Sequence, residues 1–129
     1  MNRLNHTEID IIPYRAMRYP TAGDYFEAGF NTFFKVAEMG DARMEFCISI
    51  HEQVEQFLCK LRGISEPDTI KPFDEEFERN RKPGDVSEPG HAFDCPYRRE
   101  HIFAEQIERL ISEEIGLDWA EYTERVNAL

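Results

Sequence analysis

The sequence predicts an α+β fold that is mainly α, with a small N-terminal β-hairpin or meander packed on two long antiparallel helices, and short accessory helices beside them. Three observations predict this class. Residues 9–37 are rich in aromatic and β-branched residues, two later segments carry apolar residues at helical spacing, and prolines and glycines separate these regions. A chain of 129 residues normally forms one domain, so we expect residues 1–129 to fold as a single domain.

The N-terminal region predicts short strands joined by turns. Pro13, residues 20–24 and Gly29 interrupt its aromatic and β-branched residues, as turn residues do. The sequence Thr-Phe-Phe-Lys-Val at 32–36 is the best single strand. Asp41 follows as a suitable N-cap for the first long helix.

Four helices are predicted after Asp41. The first long helix covers residues 42–62 and ends at Gly63, and a long connection with a short helix at 73–79 follows it. The second long helix has Pro96 in its first turn and ends at Gly116. Asp118 then caps a terminal helix that runs through Val126. The apolar residues that predict the core face of the first helix are Phe46, Ile50, Val54, Phe57, Leu58 and Leu61.

Composition excludes several classes of function. The net charge is −11, from 26 acidic and 15 basic residues, so neither nucleic acid nor an anionic membrane surface is an expected partner. The sequence has no apolar run of the roughly 20 residues that a membrane span needs, and no signal peptide at its N-terminus. Three cysteines, an odd number, argue against a disulfide framework. A cytoplasmic location is therefore expected.

The first long helix contains an H-E-x-x-E motif at residues 51–55. Positions four apart on a helix differ by about 40° of rotation, so His51 and Glu55 leave the helix from the same face. Glu52 lies about 100° round from His51, as does the general base in the H-E-x-x-H motif of zinc peptidases. The motif predicts His51 and Glu55 as metal ligands and Glu52 as a catalytic general base.

The second long helix repeats this spacing with His101 and Glu105. If the helices pack antiparallel, the two histidines and two glutamates converge on one ion, as ligands do in metal-binding helical bundles. Imidazole and carboxylate ligands suit zinc, iron or manganese. The sequence therefore predicts a metal-binding protein and, more specifically, a metal-dependent hydrolase.

Other interpretations of the same residues stay open. Cys47 is a weaker ligand candidate one turn before His51, and Cys95 with His91 is a weak candidate for a nucleophile and its base. A metal-free alternative explains the charges by surface salt bridges among Glu52, Glu55, Arg98, Arg99, Glu105 and Arg109.

The alternative function is a non-enzymatic acidic interaction protein or small homo-oligomer. One short segment, interrupted by glycine, contains more aromatic residues than it can bury by itself. We therefore also expect homodimerisation, which would bury them between two copies of the chain. These residues are Tyr25, Phe26, Phe30, Phe33 and Phe34.

Five short motifs together resemble a family of small bacterial and phage-associated proteins. They are His51-Glu52-Gln53-Val54-Glu55, Phe73-Asp74, Gly84-Asp85, Pro96-Tyr97-Arg98-Arg99-Glu100-His101 and Asp118-Trp119-Ala120-Glu121-Tyr122. The resemblance spans roughly the C-terminal two-thirds of the chain and implies phage association but no known activity. The chain is also similar to zincin metallopeptidases, although Glu55 stands where their second histidine would be, a change that argues against peptidase activity.

Overall fold

A computed structural model describes residues 5–129 and confirms the predicted α+β class, with helices predominating. The N-terminal strand region forms a three-stranded sheet with the order β1-β3-β2, from β1 (His6–Ile12), β2 (Gly23–Ala28) and β3 (Asn31–Ala37). β2 and β3 form an antiparallel hairpin, and Gly29 supplies the positive φ of 63° at its turn. β1 pairs parallel to β3, so the chain crosses over between β1 and β2.

Four α-helices follow the sheet: α1 (Ala42–Leu61), α2 (Lys71–Arg79), α3 (Arg98–Glu114) and α4 (Trp119–Asn127). Both predicted N-caps are confirmed, because Asp41 accepts a hydrogen bond from the Arg43 backbone N–H at 2.9 Å and Asp118 accepts one from that of Glu121 at 3.1 Å. A π-helical turn at Glu66–Ile70 leads into α2.

The two long helices, α1 and α3, pack antiparallel as predicted. At one end of the pair, the Arg62 guanidinium donates to the Glu100 carboxylate at 2.7 Å. At the other end, the Arg43 guanidinium donates to the Gly116 carbonyl oxygen at 3.1 Å. Residues near the middle of α1 therefore face residues near the middle of α3.

The buried face of α1 differs from the predicted one. Phe46, Phe57 and Leu61 are exposed, and the buried residues include Met44, Cys47, Ile48, His51, Glu55 and Cys59. The prediction was wrong here because apolar residues surround this helix on several sides, and because the histidine and glutamate of the buried face count as polar in a hydrophobic pattern. His51 and Glu55 therefore lie within the helix interface.

Two apolar clusters flank this polar centre. The first includes Met44, Cys47 and Ile48 from the N-terminal half of α1, with Val36, Met39, Leu117 and Tyr122. The second surrounds Cys59 near the C-terminal end of α1, with Tyr25, Phe34, Ile70, Cys95 and Tyr97. Burial of these side chains supplies the hydrophobic stabilisation that holds α1 and α3 around a polar group.

Within residues 5–129, the structure has no helix with the length and apolar character needed to cross a membrane. Cys47, Cys59 and Cys95 are free thiols. The N-terminal aromatic residues named above divide between two environments: Tyr25 and Phe34 are buried, whereas Phe30 is exposed.

Candidate metal centre

Helix α1 places His51 and Glu55 side by side, one helical turn apart. The His51 Nε2 atom lies 3.1 Å from Glu55 Oε2. Both side chains face α3, because they occupy the buried face of α1 between its two apolar clusters. The predicted pairing of these two residues through helical spacing is therefore present in the structure.

Helix α3 contributes His101 to the same point. Its Nδ1 atom lies 2.8 Å from Glu55 Oε2 and 3.2 Å from His51 Nε2. His51, Glu55 and His101 are only 8%, 5% and 6% exposed. We call these three residues the inner cluster, and they form a buried His/Glu group that could hold a metal ion.

The spacing of the three donor atoms suits a single ion. The distances between them are 2.8, 3.1 and 3.2 Å. With metal–ligand bonds of about 2.1 Å, donors that lie about 3 Å apart subtend roughly 90° at the ion. Three ligands at such angles occupy one face of the coordination sphere and leave the opposite face open to water or substrate.

The far nitrogen of each histidine has a carboxylate partner. His51 Nδ1 lies 2.8 Å from Glu108 Oε1, and the Tyr122 hydroxyl donates to the other oxygen of Glu108 at 2.5 Å. His101 Nε2 lies 2.9 Å from Glu88 Oε2. A metal-ligating histidine usually donates its other ring N–H in this way, which fixes the ring and directs the unprotonated nitrogen at the ion.

The electrostatics of the metal-free inner cluster depend on mutual pairing. Burial alone would raise the pKa of Glu55, but its hydrogen bonds to His101 and His51 outweigh burial and lower that pKa to about 2. Burial alone would lower the pKa of His101, yet its hydrogen bonds to Glu55 and Glu88 raise it to about 9. Without a metal, the cluster therefore needs protons on its histidines to balance the buried carboxylate.

Glu52 lies beside the inner cluster. It lines a cavity of about 90 Å³, counted as the volume open to the centre of a water molecule, and His51, Glu55 and His101 line the same cavity. One water needs roughly 10–15 Å³ on this measure, so several fit. Burial, followed by the negative charge of Glu55, raises the pKa of Glu52 well above its usual value. The predicted general base therefore lines the same cavity as the three residues of the inner cluster.

The fourth predicted ligand, Glu105, does not join the inner cluster. Its Oε2 atom lies 2.5 Å from His91 Nε2, on the side of His101 that faces the connection between α2 and α3. We call Glu88, His91 and Glu105 the outer cluster. These residues and His101 form a second group that could hold a metal ion.

Gly90 explains how the connection comes so close to His101. A Cβ atom at this position would overlap the Cγ and Nδ1 atoms of the His101 ring. Only glycine allows this approach, which holds the short helical turn Pro89–His91 against the ring. The rings of His91 and His101 consequently lie 4.7 Å apart, at an interplanar angle of 81°.

The competing assignments receive less support from these contacts. Burial raises the pKa of the Cys47 thiol to about 11 and that of the Cys95 thiol to about 12, so neither thiolate forms readily near neutral pH. Among the proposed surface salt bridges, Arg109 pairs with Glu113, while Glu55 is buried against histidines.

Sequence reasoning missed four residues that shape the site: Glu88, Gly90, Glu108 and Tyr122. Glu108 was within reach, because it follows His101 by seven residues and so lies on the same face of α3. The signal for Glu88 and Gly90 was weaker, since both belong to an irregular connection whose path depends on tertiary contacts.

Together these residues define an α+β chain with a buried histidine–glutamate group between two helices. No protein-family model, no curated protein and no solved structure matches the chain.

Proposed function

We propose that this protein binds a divalent metal ion through His51, Glu55 and His101. One observation carries the proposal: three donor atoms lie within 3.2 Å of one another, while each histidine presents its far nitrogen to a carboxylate. Two imidazoles and one carboxylate form the ligand set of several zinc hydrolases and of non-haem iron sites, so zinc, iron and manganese all fit the chemistry.

We further propose that the metal serves hydrolysis, with Glu52 as general base. A metal at the inner cluster would polarise a bound water, and the cavity gives that water access to the Glu52 carboxylate. The Glu52 carboxylate would take a proton from that water and return it to the leaving group. This role rests on cavity position and charge.

Metal content tests the binding proposal. The wild-type protein, purified without chelator and loaded with Zn²⁺, should retain at least one equivalent through dialysis, as measured by elemental analysis. The double variant His51→Ala, His101→Ala should lose the inner ion. His6→Ala is the matched control, because His6 pairs with Glu8 on the exposed surface of β1, and it should behave as wild type. Equal, negligible metal in wild type and double variant would contradict the proposal.

Esterase activity tests the hydrolytic part separately. With p-nitrophenyl acetate as the probe, the Zn²⁺-loaded wild type should exceed both the chelator-treated protein and the metal-loaded Glu52→Gln variant. General base catalysis contributes roughly 10²–10⁴-fold, so Glu52→Gln should lose most of the metal-dependent rate while keeping its metal. A Glu52→Gln rate equal to that of wild type would remove the base assignment and leave metal binding intact.

The alternative function, a non-enzymatic interaction protein or small homo-oligomer, stays a prediction. It was predicted from aromatic residues that the N-terminal segment could not bury by itself, and two of these, Tyr25 and Phe34, are buried within the chain. Light scattering tests it, since a monomer at high protein concentration would contradict homodimerisation.

A further inference from the structure

We propose that the outer cluster is a second divalent-cation site, so that this protein holds two ions on opposite sides of the His101 ring. The inference rests on the proposed function in one respect, namely that His101 faces an ion on its Nδ1 side. His91 and Glu105 would bind only the outer ion, and Glu88 would be its third ligand. Both carboxylates and the imidazole suit manganese, iron or zinc.

The geometry of the outer cluster carries the first part of the argument. His91 Nε2 lies 2.5 Å from Glu105 Oε2, and Glu88 Oε2 lies 3.8 Å from His91 Nδ1 and 2.9 Å from His101 Nε2. One ligand atom from each of these four residues lies within 4.8 Å of the others. Ligands on opposite sides of one ion are at most about 4.2 Å apart, so half-exposed side chains need move only slightly.

The connection between α2 and α3 positions Glu88 and His91. The close contact of Gly90 with the His101 ring holds Pro89–His91 in place, with Glu88 on one side of Gly90 and His91 on the other. The same ring thus positions residues of both clusters: its Nδ1 atom faces Glu55, and its Nε2 atom faces Glu88. An ordinary surface ion pair does not require such packing.

A surface groove gives an ion access to the outer cluster. The groove has a volume of about 580 Å³, and its lining includes His91, Glu105 and Glu88 together with His51 and Glu108. The two carboxylates of the outer cluster therefore face a solvent-filled groove in a chain with a net charge of −11, which attracts cations.

The two sites should differ in affinity. Side chains of the outer cluster are between 36% and 46% exposed, so water competes for its ion more effectively than in the inner cluster. We expect the inner site to fill first during a titration and the outer site to fill second.

Metal stoichiometry tests the second site. The full chain, stripped with chelator and dialysed against excess Zn²⁺, should bind two equivalents, whereas His91→Ala, Glu105→Gln should bind one. The complementary variant His51→Ala, Glu55→Gln should lose the inner equivalent, and His6→Ala should retain two. Because His91 and Glu105 lie at the surface, the first variant should keep its fold, which thermal unfolding with chelator present checks.

Each result decides between the two sites. One equivalent in both wild type and His91→Ala, Glu105→Gln would overturn the outer site and leave the proposed function standing. Two equivalents in both would show that the second ion binds elsewhere and would equally overturn it. No bound zinc in wild type would overturn both proposals.

Discussion

The inner cluster contains His101 and the outer cluster contacts the other side of its ring, but the two clusters differ in what surrounds them. The inner cluster is buried between two apolar clusters and draws its ligands from the two long helices. The outer cluster lies in a surface groove and depends on the connection between α2 and α3 for Glu88 and His91. One side of the ring is therefore fixed by helix packing, and the other by a single turn.

This difference gives the two proposed metal sites different electrostatics. In the inner cluster, burial makes unbalanced charge costly, so the carboxylate and the histidines must be paired by protons or by an ion. In the outer cluster, water solvates the same groups and leaves less electrostatic free energy for an ion to recover. We therefore expect substitutions to act more strongly on the inner ion than on the outer one.

The largest effect is expected from Gly90→Ala. The new methyl group would overlap the His101 ring and displace it or the turn Pro89–His91, so both ions would lose a well-placed ligand. Loss of ligand placement should weaken Zn²⁺ binding at the inner site by roughly 100-fold or more, as measured by competition with a fluorescent chelator.

The substitution Phe93→Ala is the control for Gly90→Ala, since Phe93 lies in the same connection and is almost fully exposed. Unchanged zinc affinity in Gly90→Ala would mean that the turn does not position His101.

The next largest effect concerns the carboxylates behind the histidines. Glu108→Gln should weaken the inner site about 10- to 100-fold, because Glu108 fixes the His51 ring and is itself held by Tyr122. Tyr122→Phe should produce a smaller loss in the same direction. Isothermal titration with Zn²⁺ measures both, and equal affinity in wild type and Glu108→Gln would exclude this positioning role.

A pH series tests the electrostatic difference directly. In the metal-free protein, hydrogen bonds to Glu55 and Glu88 outweigh burial and raise the pKa of His101 to about 9. This histidine's stabilisation is therefore fully present below its unfolded pKa of about 6.5 and is lost as pH rises through about 9. An ion reverses the trend, because it binds only the unprotonated nitrogen.

Thermal unfolding with and without Zn²⁺ provides the measurement. The zinc-dependent rise in melting temperature should grow from pH 6 to pH 9, and each displaced proton should increase apparent affinity about tenfold per pH unit below the folded pKa. The effect should be much smaller in His51→Ala, His101→Ala, which keeps only His91, Glu105 and Glu88 of the outer cluster. A zinc effect that declined with rising pH would contradict ligation by these histidines.

The smallest effect on metal binding is expected from Asp74→Asn. This substitution tests how burial affects a carboxylate that has no histidine partner. Burial raises the pKa of Asp74 to about 7 despite the hydrogen bond donated by Tyr97 at 2.5 Å, whereas histidines lower that of Glu55. Since the folded pKa of Asp74 exceeds its unfolded value, wild-type stability should fall as pH rises from about 4 to 7.

Asp74→Asn should remove that loss, worth at most about 4 kcal/mol, and should be more stable than wild type at pH 8 but not at pH 4. Chemical denaturation at both pH values measures the difference, with little change in zinc affinity expected. Equal stabilities at pH 8 would mean that burial of Asp74 costs little.

The inner cluster was predictable because regular features of helices bring its residues together. Helical spacing placed His51 with Glu55, and the antiparallel packing of two amphipathic helices brought His101 to them. Glu105 has the same helical spacing from His101 as Glu55 has from His51. Whether the Glu105 side chain points into the helix interface or toward the surface depends on which face of α3 is buried. The apolar pattern misplaced that face, since Phe103 and Leu110 are exposed while Glu100 and His101 are buried.

The outer cluster could not be predicted in the same way. Glu88 and His91 lie in a connection with little regular structure, and their position follows from the contact between Gly90 and His101. Nothing in the sequence around a glycine with ordinary φ marks it as a packing contact. The parallel pairing of β1 with β3 was likewise unpredicted, because strand order depends on a crossover rather than on a turn.

The most direct test of the inner cluster is X-ray absorption spectroscopy of the His91→Ala variant loaded with one equivalent of Zn²⁺. This variant lacks a ligand that would bind only the outer ion, so the signal reports the inner ion. The account predicts two imidazole nitrogens at about 2.0–2.1 Å, oxygen ligands from Glu55 and water, and no sulfur. A sulfur ligand, or fewer than two imidazoles, would contradict it.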